Sequence, residues 1–214
     1  MSKSNEWASE FAYFILEITS TSNSPKVIEI HPPFKDYCNI DQFVERYSIF
    51  MSTIHEKYKE TEIVIENRVG TRYSGSNFLF SKMDDIIDLC NVIKEHNLDL
   101  KVVLDFPQLL TAEHLDTLNF DMIKYNLCID KLCNYSVFIA GIHIWGKKQG
   151  KNGTLTSHVG NLNTYFGNND VSKNEFIKGI SKVCNDGIQR YLVPEVNSGS
   201  TDLESVIEDL FLEI

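Results

Sequence analysis

The sequence predicts an α/β fold: parallel β/α units of an incomplete TIM barrel, forming one domain over residues 1–214. Three observations carry this. Short apolar, β-branched runs such as IVI (63–65) and VVL (102–104) read as strands covered on both faces. Strand and helix patterns alternate, which implies a parallel sheet with right-handed crossovers. The chain reads as an N-terminal helix followed by five strand-plus-helix units, about two or three short of the eight that a barrel of about 250 residues holds.

The elements follow in order. Trp7, Phe11, Phe14, Ile15 and Ile18 stand at helical spacing, which predicts a helix over 5–19. A first strand is expected over 26–30, ending at His31-Pro32-Pro33. Asp41 is the expected cap of a helix through Lys59, with Phe43, Tyr47, Phe50, Met51 and Ile54 on one face. The strand at 62–65 ends at Glu66, and a loop rich in Gly, Ser and Arg follows. Ser81, with Asp84 three residues on, predicts a capping box for a helix to His96. The strand at 100–104 ends on Asp105, before a Pro-containing loop. Helix is expected through most of 112–133, then a strand over 137–142 ending at His143. A polar loop is expected from Trp145 to Val171, a helix over 172–186, a strand over 190–193 ending at Glu195, and a last helix over 202–212.

The net charge of −10 and a pI near 5.0 argue against non-specific nucleic-acid binding, which works by neutralising phosphates. No apolar run is long enough to cross a bilayer. The apolar stretch at 11–18 lacks the basic region and cleavage site of a signal peptide, so the expected location is cytoplasmic. The five cysteines are widely spaced with no CxxC pair, and read as small buried hydrophobes in a reducing compartment.

The strand ends form a pattern. Successive strands stop at His31, Glu66, Asp105, His143 and Glu195. In parallel α/β folds these ends share one face, where sites are built. Each residue alone reads equally as a helix cap or a satisfied polar group. Together they make an N/O ligand set suited to a divalent ion such as Zn, Mn or Co, with no thiolate to favour a softer one. Arg68, Arg72, Lys147, Lys148 and Lys151 lie in two loops that follow ligand strands. They are either a clamp for a phosphate or carboxylate or plain solvated charge. Trp145 and Tyr73 read as stacking surfaces for a sugar or base, or as packing groups.

The segments HPPF (31–34), IENRVG (65–70), LDFPQ (104–108), GIHIWGKK (141–148), SHVG (157–160) and PEVN (194–197) carry a resemblance. In order and spacing they resemble the xylose isomerase-like barrel superfamily, which includes sugar isomerases and epimerases and endonuclease IV. The resemblance covers roughly residues 26–197. It implies a central divalent metal held by Glu66, Asp105, His143 and Glu195, with His31 on a neighbouring metal in the endonuclease branch. In the epimerase branch Glu66 and Glu195 would be the acid/base pair. Substrate contacts are expected from His158, Arg68, Arg72, Lys147, Lys148, Gln108 and Trp145.

The chain departs from the family pattern at two places. Gln108 stands where a metal-binding His is usual. Thr156-Ser157-His158 keeps the His of the endonuclease's D-R-H triplet and loses its Asp. A three-metal centre would therefore lack two ligands, while a single ion is fully provided for.

The resemblance implies a metal-dependent sugar or sugar-phosphate isomerase or epimerase. The alternatives are an endonuclease IV-like phosphodiesterase acting on abasic DNA, and a non-enzymatic barrel serving as a binding module. Missing barrel units would leave strand edges open, so a homo-oligomer or completion by a partner chain is expected.

Overall fold

The computed structural model describes residues 3–21, 23–71, 76–150 and 152–211. The fold is α/β, with five parallel strands in one sheet whose order follows the chain, as expected for successive β/α units of an incomplete barrel. The chain divides into two compact units, one ending at Val103 and one starting at Leu104.

The first unit contains β1 (Val27–Ile30), β2 (Glu62–Glu66) and β3 (Lys101–Asp105), whose last two residues already belong to the second unit. Ile28 pairs with Ile63, Ile30 with Ile65, and Ile65 with Val102, all in parallel register. Ile63, Val64 and Ile65 are buried, as a strand covered on both faces requires. Helix α1 (Asn5–Ile18) lies against α2 (Ile40–Lys57). Ala8 and Ala12, one turn apart and fully buried, let the two helix backbones approach. Helix α3 (Met83–His96) contributes buried Ile86, Leu89 and Ile93.

Two caps differ from expectation. Asn39, not Asp41, caps α2: its side chain accepts from the Gln42 amide, and Gln42 accepts from the Asn39 amide. Asp85 Oδ2, not Asp84, accepts the amides of Ser81 and Lys82 before α3. Both misreadings are shifts along the chain, because several Asx and Ser residues compete at each helix start.

The second unit begins with the end of β3 and passes directly into α4 (Phe106–Ala112), where a loop was expected. Pro107 stands in the first turn, where its missing N–H costs nothing. Then come α5 (Met122–Cys133), β4 (Ile139–Ile144), a hairpin of β5 (Lys147–Gln149) and β6 (Leu155–Ser157), α6 (Leu162–Tyr165), α7 (Asp170–Cys184), β7 (Tyr191–Pro194) and α8 (Ser200–Phe211). The polar stretch after Trp145 thus carries a hairpin and a short helix.

Every residue of β4 is buried, and β4 pairs with β7 from Gly141↔Tyr191 to Ile144↔Pro194. Helix α5 meets α7 through Tyr125, whose hydroxyl donates to the Phe176 carbonyl at 2.7 Å. Gly179 makes that approach possible, because a Cβ there would collide with the Tyr125 ring.

All five cysteines are thiols rather than disulfides, and burial pushes the Cys90 thiol up to about 12, so it is an inert packing group. No helix among the described residues is long and apolar enough to cross a membrane.

Candidate metal centre

Asp105 ends β3 and caps α4 at once. Its Oδ1 accepts the Gln108 amide at 2.9 Å, and its Oδ2 accepts the Gln108 side-chain amide at 3.0 Å and Trp145 Nε1 at 2.8 Å. The residue is fully buried. Those donors favour the ionised carboxylate and fix its orientation. The cap and the ligand readings of Asp105 are therefore compatible.

His143 is the fifth residue of β4 and is also buried. Its Nδ1 lies 3.2 Å from Glu195 Oε1. Glu195 follows β7 and is fixed by its own amide, which donates to the Ile144 carbonyl at 2.9 Å. Its second oxygen lies 3.3 Å from His158 Nδ1. One ligand atom from each of Asp105, His143 and Glu195 lies within 4.8 Å of the others.

This donor set fits a divalent ion. Two carboxylates and an imidazole match the chemistry of Zn, Mn or Co sites. Two carboxylates held close, one of them fully buried, repel unless a cation or proton lies between them.

The surroundings hold the cluster rigid. Trp145 is buried and tilts over His158, with ring centroids 4.4 Å apart. His158 has a left-handed backbone, φ +59°, a region that His, Asn and Asp enter more readily than other residues besides glycine. The Gly146 backbone runs so close to Gly160 that a Cβ at 146 would stand 2.5 Å from the Gly160 carbonyl oxygen.

Lys147 is buried: its Nζ lies 2.6 Å from Asp116 Oδ2 and 3.0 Å from Thr111 Oγ1, over the rings of Trp145 and Tyr165. The expected substrate clamp is thus committed to an internal ion pair beneath Trp145. Burial first, and then the Asp116 and Asp105 carboxylates, push the Tyr165 hydroxyl well above its ordinary range. Lys148 is exposed on β5. Trp145 and Gln108, read from sequence as substrate groups, donate to Asp105. The D-x-x-Q spacing from 105 to 108 carried half of that signal, as the geometry of a helix cap. The contact from Trp145 crosses 40 residues and had none.

In the first unit, Glu66 is buried at the end of β2 with Oε2 2.9 Å from His31 Nε2. An Arg68 terminal nitrogen lies 2.9 Å from His31 Nδ1 and 2.7 Å from Nε2. Arg72, Tyr73 and Lys151 lie outside the described residues. Within the first unit His31 thus meets Glu66, and within the second Asp105 meets His143 and Glu195.

No protein-family model and no curated protein matches the chain. A solved structure does: "The crystal structure of AsfvAP:AG", an AP endonuclease-like structure. It matches at a TM-score of 0.61 and 12% identity, over 97% of this chain and 67% of that one. At that identity the likeness shows a shared fold.

Proposed function

We propose that this protein is a divalent-metal-dependent phosphodiesterase of the endonuclease IV type, acting on DNA at abasic sites. The observation that carries this reading is the Asp105–His143–Glu195 cluster at strand ends, with Asp105 and His143 buried, in a fold shared with an AP endonuclease-like structure. The sugar isomerase expectation gains no such support.

In this reading Asp105, His143 and Glu195 hold the ion. Once bound, it supplies Lewis-acid polarisation of a phosphoryl oxygen. Asp105 is aimed by Trp145 and Gln108. Glu195, a third exposed, is the cluster's open member, and its Oε2 is placed to take a proton and share it with His158 Nδ1.

The test is incision of a duplex carrying one abasic-site analogue, with Mn, Zn or Co and with EDTA. Sugar phosphates are assayed for isomerisation in parallel. Metal-dependent incision that disappears in Asp105→Asn and His143→Ala supports the reading. Isomerisation without incision sinks it.

A further inference from the structure

The first unit holds a cavity of about 310 Å³ that the proposed metal chemistry does not use. Its walls include Trp7, Phe11, His31, Pro32, Phe34 and Tyr37. Trp7 and Phe11 sit one turn apart on α1, stacked with centroids 5.1 Å apart. Phe34 is backed by Phe78 at 4.1 Å. All four wall aromatics remain part-exposed, in a unit that fully buries Phe43, Tyr47 and Phe50. Leaving aromatic surface open costs roughly 25 cal/mol per Å², so flat rings around open space are the walls of a stacking pocket.

The rim is polar, with cations and carboxylates set around the aromatic walls. Lys3 Nζ lies 5.2 Å from the Tyr37 ring centroid. His31 is joined to Arg68, whose guanidinium lies over Phe78, 5.7 Å from its centroid. Glu29 adds a carboxylate to the lining, an acceptor for an amino or N–H edge. Flat apolar walls, an acceptor and two rim cations suit a planar heterocycle attached to an anion. The volume lies at the low end of ligand cavities, about 300–1,000 Å³.

We propose that this cavity binds a nucleobase of a nucleotide, namely an unpaired base of single-stranded DNA. Its ring stacks among Trp7, Phe11, Phe34 and Tyr37, and its phosphate lies toward Lys3 and Arg68. Stacking of this kind tolerates any base, since every base has a π face. The inference rests on the proposed function only in taking DNA as the source of the nucleotide.

The experiment is titration of the full chain with a dye-labelled eight-nucleotide single strand, in EDTA so that the metal centre is silent. Anisotropy and tryptophan fluorescence are read together. Trp7 and buried Trp145 are the chain's two tryptophans, so stacking on Trp7 quenches a signal over a constant background. Trp7→Ala is expected to weaken binding by about tenfold or more, and Trp7→Phe by much less. Lys3→Glu is expected to weaken it and to flatten its salt dependence by about one phosphate.

A deoxynucleoside monophosphate that competes as well as the strand would assign the cavity to free nucleotides and overturn the DNA source. Equal binding of a strand made wholly of abasic units would overturn base recognition. So would the absence of quenching, or full affinity in a folded Trp7→Ala and a folded Phe34→Leu. Binding without incision sinks the proposed function and leaves this inference standing. Incision with no base-dependent binding does the reverse.

Discussion

The two units end their strands on the same kinds of residue and use them differently. In the second unit Asp105, His143 and Glu195 are gathered and braced, and the His143 side chain is 4% exposed. In the first, His31 is 53% exposed, paired with Glu66 and joined to Arg68. The pair in the first unit has a guanidinium beside it, while two carboxylates and an imidazole leave negative charge that a cation satisfies. Residue type at a strand end therefore does not by itself set what the residue does. The balance of donors and acceptors around it does.

The sharpest break of this contrast is Asp105→Asn. It keeps the α4 cap, since Asn caps as well as Asp, and removes the charged ligand. Metal affinity is expected to fall more than about 100-fold by calorimetry or metal analysis, with folding little changed. Under the same measurement His31→Ala is expected to move affinity less than about tenfold, and an equal loss would erase the distinction between the units. Next come the braces: Trp145→Phe and Gln108→Leu should each weaken metal binding about 10- to 100-fold.

Smaller effects fall on stability. Gly146→Ala forces a methyl onto the Gly160 backbone and should cost about 1–3 kcal/mol in chemical denaturation. Lys147→Met leaves Asp116 without its ammonium partner and should cost a similar amount, about 1–3 kcal/mol. If Lys147 were instead a substrate clamp, the variant would lose activity with no change in stability.

The smallest effect is in acid. The Arg190 guanidinium beside Asp186 holds that carboxyl well below its usual range. A lowered carboxyl stabilises the fold above about pH 4, and that contribution fades as pH falls through its folded range. Asp186 is partly exposed, so solvent screening keeps the gain small. Asp186→Asn should flatten the acid limb of the stability curve and leave neutral metal binding unchanged.

The sheet was the most legible part of the sequence. Runs such as 63–65 and 102–104 can bury both faces only in a covered parallel sheet, and the strands stand within a residue or two of expectation. Helix starts were less legible at residues 39, 82 and 105. Several side chains compete to cap, and the winner is set by the direction from which the chain arrives. The hairpin after Trp145 was not legible, since its strands are short and mostly exposed and so show no apolar period.

By itself, the sequence determined where the strands lie and that His, Asp or Glu stands at each strand end, because burial and residue type are local properties. Only the tertiary structure decided which of those residues meet. Only the fold brings Trp145 to Asp105 across 40 residues and turns Lys147 inward to Asp116. Such partners are chosen by backbone path and packing, and no spacing along the chain encodes them.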